Sequence, residues 1–252
     1  PQNCPPGSES KLDENVILVT YLASPPSVLS LSSPSESLRS VPPTFLNWRA
    51  SALRSGFSSS NIVVLQGPVW STSSNKNWLR RTTHYLDFVK NMSLSQVLII
   101  TDAFDVLVAA TPSEVLNTYR SLQSRIVFGA ELLCDTTSCR QDVLGREAQK
   151  ARVSAHTDFK FLNAGFVMGT AADLTTLLLY AKEYQSEHHE SDDQAAFVDF
   201  WLNDKNNMSV LDYKSQLVGV LSPQRNQYFF RFEDKIPHRL VRKIWNGEII
   251  RP

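Results

Sequence analysis

The 252-residue sequence is poor in cysteine, with only three, too few for the dense disulfide framework of a small secreted module. Cys134 and Cys139, five apart in LLCDTTSCRQD, could close at most one small loop, and Cys4 is left over. A dominant charge is lacking too, since 25 Lys and Arg stand against 25 Asp and Glu. That balance argues against a nucleic-acid binder acting through a general basic field, so a charged partner has to be met by a local cluster. No run approaches the roughly 18 apolar residues of a membrane span. The Gly-rich loop of a phosphotransferase is also missing. The chain starts at Pro1 with no charged and apolar leader behind it, the pattern of a processed or trimmed piece.

What is present is globular: 42% hydrophobic and 10% aromatic residues. Short apolar runs predict buried strands at 16–21, 62–65, 97–101, 125–130 and 166–168. Helical patterns separate them at 44–55, ended by Gly56, at 78–92 after a polar loop 71–75, and at 172–184. Thr111-Pro112-Ser113-Glu114 predicts a capping box opening a helix that runs to Leu122. Strands alternating with helices indicate βαβ units, hence one α/β domain over 1–252 with a mostly parallel sheet flanked by helices. The Ser/Pro-rich stretch 24–43 reads as a long exposed loop. Two acceptor tripeptides, Asn91-Met-Ser93 and Asn207-Met-Ser209, fit a secretory compartment.

In such a sheet ligands gather beyond the carboxyl ends of the strands. The run ending at Thr101 leads directly into Asp102-Ala-Phe-Asp105. Two carboxylates in one turn can face one point, and holding them there favours a cation between them. Hard oxygen ligands suit Mg²⁺ or Mn²⁺, which bridge nucleotide phosphates; the plainer alternative is a turn cap at Asp102 and a solvated Asp105. A second acidic group, Glu187-His-His-Glu-Ser-Asp-Asp193, precedes Gln194, and Asp192 and Asp193 there could simply cap the following helix. His188 and His189 lack Cys or His at the short spacing of a structural zinc site. Asn163, set between glycine-containing apolar segments, signals a close backbone approach to a ligand or a glycine bulge in an edge strand.

Taken in order, IITDAFDVL (99–107), FGAELLC (128–134), FLNAGFVMG (161–169), DDQ (192–194) and LDYKS (211–215) resemble the glycosyltransferase domain of the procollagen lysyl hydroxylases and their relatives. The likeness runs from about Glu14 to about Asp234. It implies a GT-A fold, a UDP-sugar donor and Mn²⁺, or Mg²⁺ in its place. It also implies metal ligation by Asp102 and Asp105, and stacking of uracil on Phe104 where the family has Tyr. Donor contacts are implied for Tyr21, Ala23, Lys76 and Gln194, and a place near the transferred sugar for Asp192, Asp193 and Asn163. Two departures stand out: Ala164 replaces the family's Ser, and in place of the closing His-Gly-Asn-Gly motif there are only Pro237-His238 and Trp245-Asn-Gly247. His238 is the candidate third metal ligand.

The resulting expectation is a metal-dependent enzyme moving glucose or galactose from a UDP-sugar to a hydroxyl acceptor, hydroxylysine-linked or another glycan, in the ER or Golgi lumen or outside the cell. A general base at Asp192 or Asp193 would imply inversion, whereas a retaining enzyme needs none in that role. The alternative is an inactive domain of the same fold that binds nucleotide or serves as a scaffold, which the two departures favour and the two acidic pairs disfavour. Neither nucleic acid nor a membrane span enters the expectation, and the oligomeric state is left open.

Overall fold

Strands rich in Val, Ile and Leu on both faces need cover on both faces, and the fold supplies it. A computed structural model of the chain describes residues 15–23, 43–67, 74–132, 146–147, 150, 159–188 and 192–219. In chain order the elements are β1 (Val16–Ala23), α1 (Pro43–Arg54), β2 (Ile62–Gly67), α2 (Ser74–Val89), β3 (Val97–Thr101), α3 (Pro112–Ser121), β4 (Ile126–Glu131), β5 (Phe161–Thr170), α4 (Ala171–Glu187), α5 (Asp193–Asn203) and β6 (Ser209–Leu211). The six strands form one sheet in the order β2-β1-β3-β5-β4-β6. β5 runs antiparallel to both neighbours, while β1 pairs parallel with β2 and β3, and β4 with β6. The expected α/β fold, a mostly parallel GT-A-like sheet flanked by helices, is therefore present.

Two cores lie on opposite faces of the sheet. One gathers Val19, Leu98, Ile100, Ile126 and Phe128 from the strands under Tyr85 and Leu86 of α2, Leu174 and Leu177 of α4, and Phe197 and Trp201 of α5. The other sets Val16, Leu18, Val97, Ile99 and Val127 against Phe45 and Trp48 of α1 and Val115, Leu116 and Tyr119 of α3. Each large side chain so buried contributes about 1.5–3 kcal/mol. The ends of the helices follow their local chemistry. Gly56, at φ 92°, ends α1 in a Schellman arrangement, with Phe57 N–H on Ala52 O at 3.1 Å. At α3, Thr111 Oγ1 accepts the Glu114 N–H and a Glu114 carboxylate oxygen accepts the Thr111 N–H, the expected capping box.

Three expectations change. α2 begins at Ser74, inside the stretch expected to be a polar loop. β5 begins at Phe161, five residues before the expected start, because Asn163, Ala164 and Gly165 interrupt an apolar run without ending the strand. It also lies inside the sheet between β3 and β4, so an edge-strand explanation of Asn163 and its neighbouring glycine fails. The three-residue β6 carries too little pattern to be read from sequence. Residues 24–42 and the Cys134–Cys139 segment lie outside the described residues.

Candidate functional site

The strand order reverses at β1, where chain order 2-1-3 places β1 and β3 side by side, and crevices at such a point receive ligands at the strands' carboxyl ends. Asp102 leaves the end of β3. Its N–H donates to Gly165 O at 3.0 Å, and Thr101 beneath it is locked three ways. Trp48 Nε1–H donates to Thr101 Oγ1 at 3.0 Å, Thr101 Oγ1–H to Asp102 O at 2.9 Å, and Thr20 Oγ1–H to Thr101 O at 2.7 Å. The chain after it is stapled to α1 through Val108 N–H on Ser51 Oγ at 2.9 Å and Ser55 Oγ–H on Val108 O at 2.8 Å. This rigid base leaves Phe104 46% exposed and Asp105 exposed beside it.

The partner of Asp102 is a residue that sequence reasoning passed over. Arg81 of α2 donates from Nη1 to Asp102 Oδ1 at 3.2 Å and from Nη2 to Asp193 Oδ2. One guanidinium thus joins the end of β3 to the first turn of α5. The Arg81 side chain is 12% exposed and stacks on Trp78, 4.6 Å from the ring centroid. Burial draws its pKa down, but the carboxylates of Asp193 and Asp102 outweigh this and hold it above the ordinary arginine range, so it stays charged. The Asp102 carboxyl is nevertheless raised, by burial first; Arg81 opposes this while Asp193 and Asp105 add to it.

Asp192 takes the capping role weighed for it, its Oδ1 accepting the Ala195 N–H at 2.7 Å at the start of α5. The neighbouring Gln194 faces inward, where its Oε1 accepts the Ala164 N–H and its Nε2–H donates to Glu131 Oε1, both at 3.2 Å. Asn163 mirrors it, with Oδ1 accepting the Gly165 N–H at 2.9 Å and Nδ2–H donating to Glu131 Oε2 at 3.2 Å. Glu131 is therefore a hub that sequence reasoning quoted within a motif without singling out. These bonds hold open an irregularity in the β4–β5 pairing, where the register jumps between Phe128 opposite Val167 and Gly129 opposite Asn163. Gly165 suits the position, because an added Cβ would meet Asn163 Oδ1 at 2.9 Å and Asp102 Oδ2 at 3.0 Å and push those side chains from their hydrogen-bonded places.

Tyr21 is buried in β1, edge-on to His84 and Tyr85, with its hydroxyl filling the space that a side chain at Gly67 would need; burial raises its pKa. Ala23 ends β1 opposite Gly67. Lys76 falls in the first turn of α2, its side chain outside the described residues. His188 stacks on Tyr184 at 4.2 Å, while His189 and His238 lie outside the described residues. In the quoted LDYKS segment, Asp212 caps a turn, accepting the N–H groups of Gln216, Leu217 and Val218.

Hard carboxylate oxygens at Asp102 and Asp105 fit a divalent cation in donor chemistry, and the guanidinium against Asp102 already marks a position where positive charge is needed. Among the described residues no three His, Cys, Asp or Glu side chains converge as a metal site. No curated protein matches the chain. A family model described as the PLOD GT domain matches residues 77–249, which takes in Arg81, Asp102, Glu131, Asn163, Asp193 and Gln194. With both carboxylate segments and the β5 irregularity inside that match, the chain belongs to the PLOD glycosyltransferase-domain family.

Proposed function

We propose that the chain is a metal-dependent hexosyltransferase that moves glucose or galactose from a UDP-sugar to a hydroxyl acceptor, hydroxylysine-linked or another glycan. The observation that carries this reading is the convergence of Asp102 and Asp193, from the ends of β3 and α5, at the switch point of a chain that belongs to a glycosyltransferase family. Asp102 and Asp105 would hold Mn²⁺ or Mg²⁺. When bound, that cation neutralises charge growing on the leaving UDP.

The chain's own residues hold the reactants. Phe104, exposed beyond β3, offers a face for the uracil ring, while the end of β1 at Tyr21 and Ala23, with Lys76 and Gln194, borders the donor. Asp193 is fixed by Arg81 and Asp192 by the Ala195 N–H. Both carboxylates thus keep set directions, suited to orienting the sugar hydroxyls. Asn163 is held in the same way between Gly165 and Glu131. Work in the lumen of the secretory pathway, or outside the cell, agrees with the family and with the exposed Asn91 and Asn207 of the two acceptor tripeptides.

Asp102→Asn combined with Asp105→Asn should abolish metal-dependent UDP binding measured by calorimetry. Unchanged binding in the double variant would sink the site. The scaffold reading draws on one observation, the pairing of Asp102 with Arg81, while among the described residues no three His, Cys, Asp or Glu side chains are grouped so as to hold a metal ion. UDP release from UDP-glucose or UDP-galactose with Mn²⁺ and no acceptor separates the two, since a scaffold releases none.

A further inference from the structure

A guanidinium taken out of water has to be compensated by anions and hydrogen bonds. Arg81 meets that need unevenly. Nη1 and Nη2 reach Asp102 and Asp193, the plane rests on Trp78, and Nε is buried with no hydrogen-bond partner. On the other side Asp102 Oδ1 is engaged by Arg81, while Oδ2 lies beside Gly165, where no side chain covers it. The carboxylates of Asp102 and Asp193 share the single positive charge of Arg81, and Asp105 follows three residues after Asp102. Three carboxylates less one guanidinium leave two negative charges, which one divalent cation balances.

We propose that Arg81 is a built-in counter-cation that competes with the divalent metal for Asp102 and, once displaced, offers its freed Nη1 and its unpartnered Nε to the diphosphate of the donor. The inference rests on the nucleotide-sugar reading above and adds a coupling to it. Loading of the metal releases the group that recognises the phosphates. Guanidinium N–H groups form a planar fork matched to phosphate oxygens. A side chain already pinned by Asp193 and Trp78 loses little freedom in making that exchange.

The test uses the full chain and two ligands separately. Mn²⁺ alone is titrated by electron paramagnetic resonance into the wild type, Arg81→Gln and Arg81→Lys. Removing the competing charge in Arg81→Gln should tighten Mn²⁺ binding about tenfold, and Arg81→Lys should stay within about threefold of the wild type. UDP is then titrated calorimetrically at saturating Mn²⁺, where Arg81→Gln should bind at least about tenfold more weakly. Opposite changes for metal and nucleotide are not what a merely structural loss produces, since that weakens both.

Mn²⁺ affinity in Arg81→Gln equal to or below the wild type overturns the proposal and leaves the transferase reading intact. A wild type that binds neither Mn²⁺ nor UDP, beside an Arg81→Gln that gains Mn²⁺, removes the transferase reading and keeps the competition. Failure of every chain to bind Mn²⁺ removes both. Should Arg81→Gln not fold, Arg81→Ala refilled with millimolar guanidinium replaces it. Its Mn²⁺ affinity should fall as guanidinium rises, and independence from guanidinium overturns the proposal.

Discussion

Glu147 is 1% exposed, accepts the Leu162 N–H on Oε1 at 3.2 Å, and has no hydrogen-bond partner on Oε2. Burial pushes its carboxyl up to about 7 from an ordinary 4.5, against the pull of the Leu162 N–H and with the help of Glu131. A raised carboxyl favours the folded state while protonated, so its contribution is complete below about pH 4.5 and is lost as pH rises through about 7. Glu147→Gln should therefore gain on the wild type by about 2 kcal/mol near pH 8 and by little near pH 5, read from urea unfolding at both. A gain that does not vary with pH would contradict the assignment. The same scale explains why Arg81 was not legible in the sequence. An arginine beside Arg80 on an amphipathic helix reads as part of a solvated face, and nothing local marks it as 12% exposed between two carboxylates remote in sequence. Asp102 and Asp105 stood out by position, since a pair of acids in the turn that leaves a buried strand of four apolar residues and a threonine has few other reasons to be there.

At the scale of elements, what could be read was whatever depends on neighbours in sequence. The α3 capping box is complete within four residues, Thr111 to Glu114. Thr111→Ala should cost about 1 kcal/mol, and for a domain of this size a thermal melt should show a drop of about 2–4 °C; no change would place the start of α3 under tertiary control. β1, β3 and β4 were legible because cores on both faces demand unbroken apolar runs. β5 was only half legible. Its first residues carry side chains chosen for Glu131, Gln194 and Asp102, partners contributed by other elements, so their pattern follows the site more than the strand. β6 is held by pairing with β4 over three residues and has no room for a period of its own.

For the whole molecule, one sheet shared by two cores makes each core depend on the other. Leu174→Ala on one face and Leu116→Ala on the other should each cost about 2–5 kcal/mol, and both should lower one common calorimetric transition. Two resolved transitions would show the layers melting separately. The shared sheet also bears on how site and core are joined through β5. In an uninterrupted strand, residues an odd number apart point to opposite faces. Leu162 and Val167 are five apart, yet both are fully buried in the same core, while Phe166 and Met168 serve the other. The irregularity at residues 164–166 is thus a phase shift of the strand, and Asn163, Gln194 and Glu131 hold it in place. Restoring regular alternation there would turn Leu162 out of its core, so the segment that lies against Asp102 also keeps the two ends of β5 in register with the interior. A substitution at any of Asn163, Gln194 or Glu131 therefore bears on the candidate site and on the packing of β5 together.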